Sequence, residues 1–313
     1  MTTVQMNAAD VVTDRSCDLR SSMAAMRLSF TWLGTRKTLT SEQKARAADA
    51  FDAEGKYLSA AKRLIDTSDA TFRSVTSIKS QATAYFKGVS LPYPDPGIRL
   101  IRRDDIEVIN SKMQTFVEEL DEAVRDLDAH LDELKNEARQ RLGSLYNEAD
   151  YPPSVVRLFE IAWEFPSVEP PSYLRELNPQ LYEAECERVR SRFTEAVSMA
   201  EAAFTEELNK LVEHLAERLA GTDDGKPKVF RDSVVDNFTE FFDRFRHLNV
   251  RSNEQLDEVV SRAESVLLGI RPQQLRDSDS LRRQIATNLS SVQSTLDGIM
   301  VDRPRRNILR KAK

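Results

Sequence analysis

Three histidines, His130, His214 and His247, are the chain's only imidazoles. A dinuclear iron site in a helical bundle takes Glu-x-x-His from each of two helices, because residues three apart share a helical face. Leu127, Leu211 and Arg244 stand three residues before these histidines, so that ligand set is missing. No two histidines lie close enough in sequence for a zinc-protease pair either. Ser59-Ala-Ala-Lys62 has the spacing at which a lysine activates a serine nucleophile, but the companion motifs of that chemistry are absent. Gly221-Thr-Asp-Asp-Gly-Lys-Pro looks like a phosphate-cradling loop. Its glycines are one residue too close, and Pro227 stands where a hydroxyl would hold magnesium. Cys186 lies between Glu185 and Glu187, the reverse of the electropositive setting a reactive thiol needs. The expectation is a non-enzymatic chain with no catalytic residue, no cofactor and no metal ligand.

Two segments point to binding instead. Residues 146–182 hold Tyr146, Tyr151, Phe159, Trp163, Phe165, Tyr173 and Tyr182 among six prolines. Aromatic residues are favoured anchors at protein interfaces, so Tyr151, Phe159, Trp163, Phe165 and Tyr173 form a candidate partner surface. The alternative is a loop packed over the end of a bundle. The second segment is the C-terminus, where Arg303, Arg305, Arg306, Arg310, Lys311 and Lys313 follow the last acid, Asp302. Such a tail could contact nucleic acid through phosphates, salt-sensitively and without reading sequence. A solvated tail is the alternative.

The elements that must carry these residues follow from composition and periodicity. The 313 residues are 40% hydrophobic, contain only 9 Gly and 2 Cys, and carry a net charge of −6. That excludes collagen-like, disulfide-stapled and wholly disordered chains. Cys17 and Cys186 fit unpaired thiols in a reducing, cytoplasmic setting. No run of about 18 apolar residues suggests a membrane span. The first residues, with Asp10, Asp14 and Asp18 and no apolar stretch, do not read as a secretory signal.

Proline-free stretches are the helix candidates. Over residues 41–87, Phe51, Leu58, Ile65 and Phe72 recur every seven residues after a Thr40/Gln43 capping box. Over 104–148, Met113, Val117, Leu120, Val124, Leu127, Leu131, Leu134 and Ala138 make a heptad seam with an acidic opposite face. Over 179–220, Tyr182, Cys186, Val189, Phe193, Ala196 and Ala200 lead into Phe204, Leu208, Leu211, Leu215 and Leu219. Helices of about 40 residues would each span about 60 Å. Shorter helices are expected at 229–249, 253–269 from Asn253, and 278–300 capped by Asp277 or Ser278. One short β segment is expected at Ile98–Ile101.

The predicted fold is all-α: an elongated helical bundle of long, antiparallel, coiled-coil-like helices. Its expected parts are a partly disordered 1–30, a long-helix bundle over 31–220, a helical subdomain over 221–302 and a basic tail at 303–313.

The order Phe86-Lys-Gly-Val-Ser-Leu-Pro-Tyr-Pro, an acidic helix to Leu142, Tyr151-Pro-Pro and Phe165-Pro resembles a family of helical bacterial, phage- and plasmid-borne proteins grouped as a domain of unknown function. The resemblance covers about residues 30–220. It implies no known activity and no transferable site residue, and it suggests companionship with neighbouring ATPase and von Willebrand-type proteins. The leading expectation is an oligomeric interaction or scaffold protein assembling through its heptad seams. The alternatives are a nucleic-acid accessory protein using its basic tail and an adaptor or regulator of a partner ATPase.

Overall fold

The computed structural model describes residues 19–220 and 233–301. Cys17 and the basic tail from Arg303 lie outside the described residues. A helical turn at 19–22 leads into strand β1 (Met23–Thr31). Along this strand Leu28 and Phe30 face one way and Arg27, Ser29 and Thr31 the other, the two-residue period of a strand with one packed side. Its partner β6 (Glu160–Glu164) alternates in the same way. The antiparallel register sets Leu28 opposite Trp163 and Phe30 opposite Ile161, and Arg27 opposite Glu164 on the other face. Arg27 and Glu164 close an ion pair at 2.7 Å.

Strands β2 (Arg36–Thr38) and β3 (Ala61–Arg63) make a separate two-stranded sheet. Strands β4 (Ser90–Pro92) and β5 (Ile98–Arg102) pair antiparallel, and the larger sheet has the order β4-β5-β1-β6. The all-α expectation is therefore corrected: the described residues are 68% helix with about 10% strand, a mixed α/β fold. Only β5 was legible in the sequence, in the turn-rich Pro-Asp-Pro-Gly before it. Residues 23–30, expected in a partly disordered segment, are ordered strand.

The expected helix over 41–87 breaks into two helices with a turn and strand β3 between them. Helix α1 (Ser41–Asp49) starts at the anticipated box: the Gln43 N–H donates to Thr40 Oγ1 at 3.2 Å, and the Thr40 N–H donates to Gln43 Oε1 at 3.0 Å. It ends where Asp52 adopts a left-handed conformation, φ 51°. The chain then folds back so tightly that a Cβ on Gly55 would sit 3.0 Å from the Ala45 backbone. Any side chain there requires the Ala45 backbone to give by a few tenths of an ångström. After β3, helix α2 (Ala70–Gly88) starts afresh, with the Asp69 carboxylate accepting the Thr71 and Phe72 N–H groups at 2.8 and 3.1 Å. Helix α3 (Ile106–Ala129) and helix α4 (Leu131–Leu142) carry the apolar heptad seam, interrupted at His130. The seam holds, with Phe116 buried and Val117 only half-buried. Gly143, at φ 51°, ends it.

The described residues form two compact units. A mixed unit comprises residues 26–88 and 104–166, and a bundle unit comprises 19–25, 89–103, 167–220 and 233–301. The expected 31–220 bundle is thus shared between them. In the mixed unit, α2 packs on α3, and α3 backs β6. In the bundle unit, the short α5 (Leu174–Leu177) precedes the 42-residue α6 (Pro179–Ala220), which has the span expected of it. Helices α7 (Ser233–Leu248), α8 (Glu254–Leu267), α9 (Pro272–Asp277) and α10 (Asp279–Val301) complete it. Asn253 caps α8 and the Ser278 hydroxyl caps α10, accepting from Leu256 and Leu281 N–H at 3.1 and 3.2 Å. Phe193, Phe204, Leu208 and Leu215 of α6 are buried in one core with Phe238, Phe241 and Phe245 of α7 and with Leu289, Val292 and Leu296 of α10. Phe204 meets Phe245 edge-on at 5.1 Å. Each such aromatic contributes about 3–5 kcal/mol against truncation to alanine. The heptad seams therefore find their partners within the chain.

Candidate functional site

The expected partner surface divides sharply. Tyr151 and Phe159 are buried, which corrects their placement on a surface. The Tyr151 hydroxyl donates to the Leu64 carbonyl at 3.1 Å, and its ring stacks on Tyr146 at 5.2 Å. Phe159 sits edge-on to Trp32 at 4.9 Å and to Phe72 at 6.4 Å. Trp163 is half-buried and donates its indole N–H to Asn110 Oδ1 on α3 at 3.0 Å. The loop between them is tied to α3 by Asp128, which accepts the Val155 N–H at 2.6 Å and the Ser154 hydroxyl at 2.8 Å. Those donors hold the Asp128 carboxyl below its ordinary pKa. This half of the aromatic segment is packed core, with Phe165 exposed at its end.

A partly buried ion cluster anchors the same unit, with Lys37 half-exposed at its edge. Lys37 and Lys62 sit opposite one another on β2 and β3 and share Asp150, at 2.6 and 2.5 Å. The Lys62 and Asp150 side chains are 5% and 4% exposed. Lys62 also donates to the Leu145 carbonyl at 2.6 Å. Hydrogen bonds from the two ammonium groups lower the Asp150 pKa. Lys62 is thus fully engaged, and Ser59 is exposed three residues away along extended chain. The Ser-x-x-Lys spacing does not bring the two together, since an odd separation in a strand points side chains to opposite faces.

Open space exists elsewhere in this unit. A cleft of about 790 Å³ lies between Asp121, Val124 and Arg125 of α3 and Val156, Arg157 and Phe159 before β6 with Glu160 at its start. Its charges balance two against two, and Arg157 takes a left-handed conformation at φ 70°. Among the described residues no cluster of three or more His, Cys, Asp or Glu could hold a metal ion. Cys186 is half-buried and free.

The second half of the segment behaves differently. In the bundle unit, Tyr173, Leu177 and Leu181 are 62%, 77% and 44% exposed. Tyr173 and Leu177 sit one turn apart on α5, where the Leu177 N–H returns to the Tyr173 carbonyl at 3.2 Å; Leu181 follows in the first turn of α6, after Asn178 leaves the helical path at φ −153°, ψ 90°. The neighbouring Arg175 donates to the Tyr182 hydroxyl at 3.0 Å. Leu177 and Leu181 lie outside the predicted seam, which began at Tyr182, yet they form the exposed apolar surface here. Their apolar type at i, i+4 spacing was the available signal. No helix of the described residues is long and apolar enough to cross a membrane. No protein-family model, curated protein or solved structure matches the chain.

Proposed function

We propose that this protein is a non-enzymatic scaffold that self-associates through Tyr173, Leu177 and Leu181. The observation that carries this reading is their exposure at one end of the longest described helix, whose later apolar residues are buried. Fully burying a leucine is worth about 1.5–3 kcal/mol, so a few such side chains from each copy make a favourable contact. A two-fold pairing sets the same strip of each copy against the other and closes the assembly. The flanking charges, such as the Arg188–Glu185 pair at 2.5 Å, supply a polar rim.

Light scattering coupled to size exclusion tests the reading. The wild-type chain should run as a dimer or larger, and L177E/L181E should run as a monomer with unchanged circular dichroism. A wild-type monomer at its highest soluble concentration would sink it.

A further inference from the structure

The two faces of the β2–β3 ribbon differ in how their charges are met. On one face Lys37 and Lys62 share Asp150. On the other, Arg36 stands directly opposite Arg63, and both are exposed. Ladder bonds run from Leu39 N–H to the Ala60 carbonyl at 3.1 Å and from Leu64 N–H to the Thr35 carbonyl at 2.8 Å. Hydrogen-bonded pairs are therefore 39/60, 37/62 and 35/64 in alternation, which makes Arg36/Arg63 a non-hydrogen-bonded pair. Such pairs bring side chains closest, with Cα atoms about 4.5 Å apart. Like charges directly opposite are destabilising. Neither guanidinium has an ion-pair partner among the described residues, although 31% of the sequence is charged and acids outnumber bases. A pair of planar guanidinium groups held together is suited to a phosphate, which accepts their hydrogen bonds in parallel.

The chain between the two strands carries the second observation. Phe51 and Tyr57 are 80% and 81% exposed, on a turn that is tightly made. The Ala53 and Phe51 N–H groups both return to the Ala48 carbonyl, at 3.1 and 2.9 Å, and Gly55 lies against Ala45. The backbone is bonded, and both rings are largely exposed, with the Lys56 ammonium over one face of Tyr57 at 4.9 Å and its other face open. Arginines that meet phosphates, together with open aromatic faces on which bases stack, are the combination used to bind single-stranded nucleic acid.

We propose that the β2–β3 ribbon and its 39–60 excursion form a binding site for single-stranded nucleic acid. Arg36 and Arg63 contact the backbone phosphates, and Phe51 and Tyr57 stack on bases. This site is separate from the basic tail. Binding is salt-sensitive through the two arginines and tolerant of sequence through the stacking.

Fluorescence anisotropy of the full chain with a labelled oligo-dT, at low salt, tests the proposal. The wild type should bind, and R36E/R63E should weaken binding at least tenfold. F51A/Y57A removes only exposed side chains; it should fold as the wild type and also weaken binding several-fold. Removing residues 303–313 should leave the affinity within twofold. No binding by the wild type would overturn the proposal. So would full affinity in R36E/R63E, loss of binding on removing the tail, or equal displacement of the oligonucleotide by poly-glutamate. Unchanged binding in F51A/Y57A, or preference for duplex, would show that no base is stacked and would overturn it equally.

Discussion

Residues 146–163 and residues 173–181 look alike in sequence, since both set aromatic and apolar residues beside prolines. The structure treats them oppositely. In the first stretch three aromatic side chains each find a counterpart: Tyr151 a carbonyl, Phe159 two rings, Trp163 an asparagine oxygen. Asp128 and Asp150 pin the intervening backbone to α3 and to the β2–β3 ribbon. In the second stretch, Tyr173 and Leu177 remain mostly in water. Aromatic content therefore does not decide exposure. What decides it is whether distant parts of the chain supply a complementary polar atom and a space of matching shape.

The comparison breaks most readily at Phe159. Phe159→Ala should cost the mixed unit about 3–5 kcal/mol, because it leaves a cavity between Trp32 and Phe72. A urea melt followed by tryptophan fluorescence measures this; a cost under 1 kcal/mol would mean the ring is not core. The Asp150 clamp comes next. Asp150→Ala leaves the Lys62 ammonium buried without its counter-charge and should cost about 3 kcal/mol. Replacing the partners together, as D150L/K62M, should recover much of that loss. The pH dependence follows from the lowered Asp150 pKa. The unfolded chain takes up the proton first as pH falls, so this stabilisation is complete above the ordinary carboxylate pKa near 3.8 and is lost as pH drops through the folded value. Asp150→Asn should flatten that acid-side fall in a pH series of urea melts. An unchanged slope would remove Asp150 as its source.

Legibility in the sequence tracked how local the cause was. The span of α6, the helix start at Asn253 and a cap at Asp277 or Ser278 were readable, because capping chemistry and helical period act within a few residues; the fold selects Ser278. The strand at Ile98 was readable from its turn. Strand β1 was not, because Met and Ala at 23–26 favour helices in isolation and its partner β6 lies more than a hundred residues away. The seven-residue recurrence from Phe51 to Phe72 misled for a related reason. Ile65 and Phe72 are buried, but Phe51 is not, so two unrelated elements happened to fall in phase. At the site, the burial of Tyr151 depends on the Leu64 carbonyl, 87 positions earlier. Leu177 and Leu181 were passed over because the predicted seam began one residue later, at Tyr182. The Arg36/Arg63 pair required a register that only the fold supplies.

Two smaller effects sharpen the contrast between the stretches. Asp128→Ala removes two hydrogen bonds from the loop at 154–155 and should cost about 1.5–3 kcal/mol, confined to the mixed unit. Amide exchange should show the 154–159 segment opening while α6 stays protected. Leu177→Ser should behave in the opposite way. Its side chain is already in water, so the folded monomer should change by less than about 0.5 kcal/mol. If the strip is a self-association surface, the same substitution should lower the mass seen by light scattering at a given concentration, with the melting of the dilute protein unchanged. A substitution silent in the monomer and felt only between copies separates an interface from a core. A Leu177→Ser variant that lost monomer stability would place this strip with the packed stretch and erase the contrast.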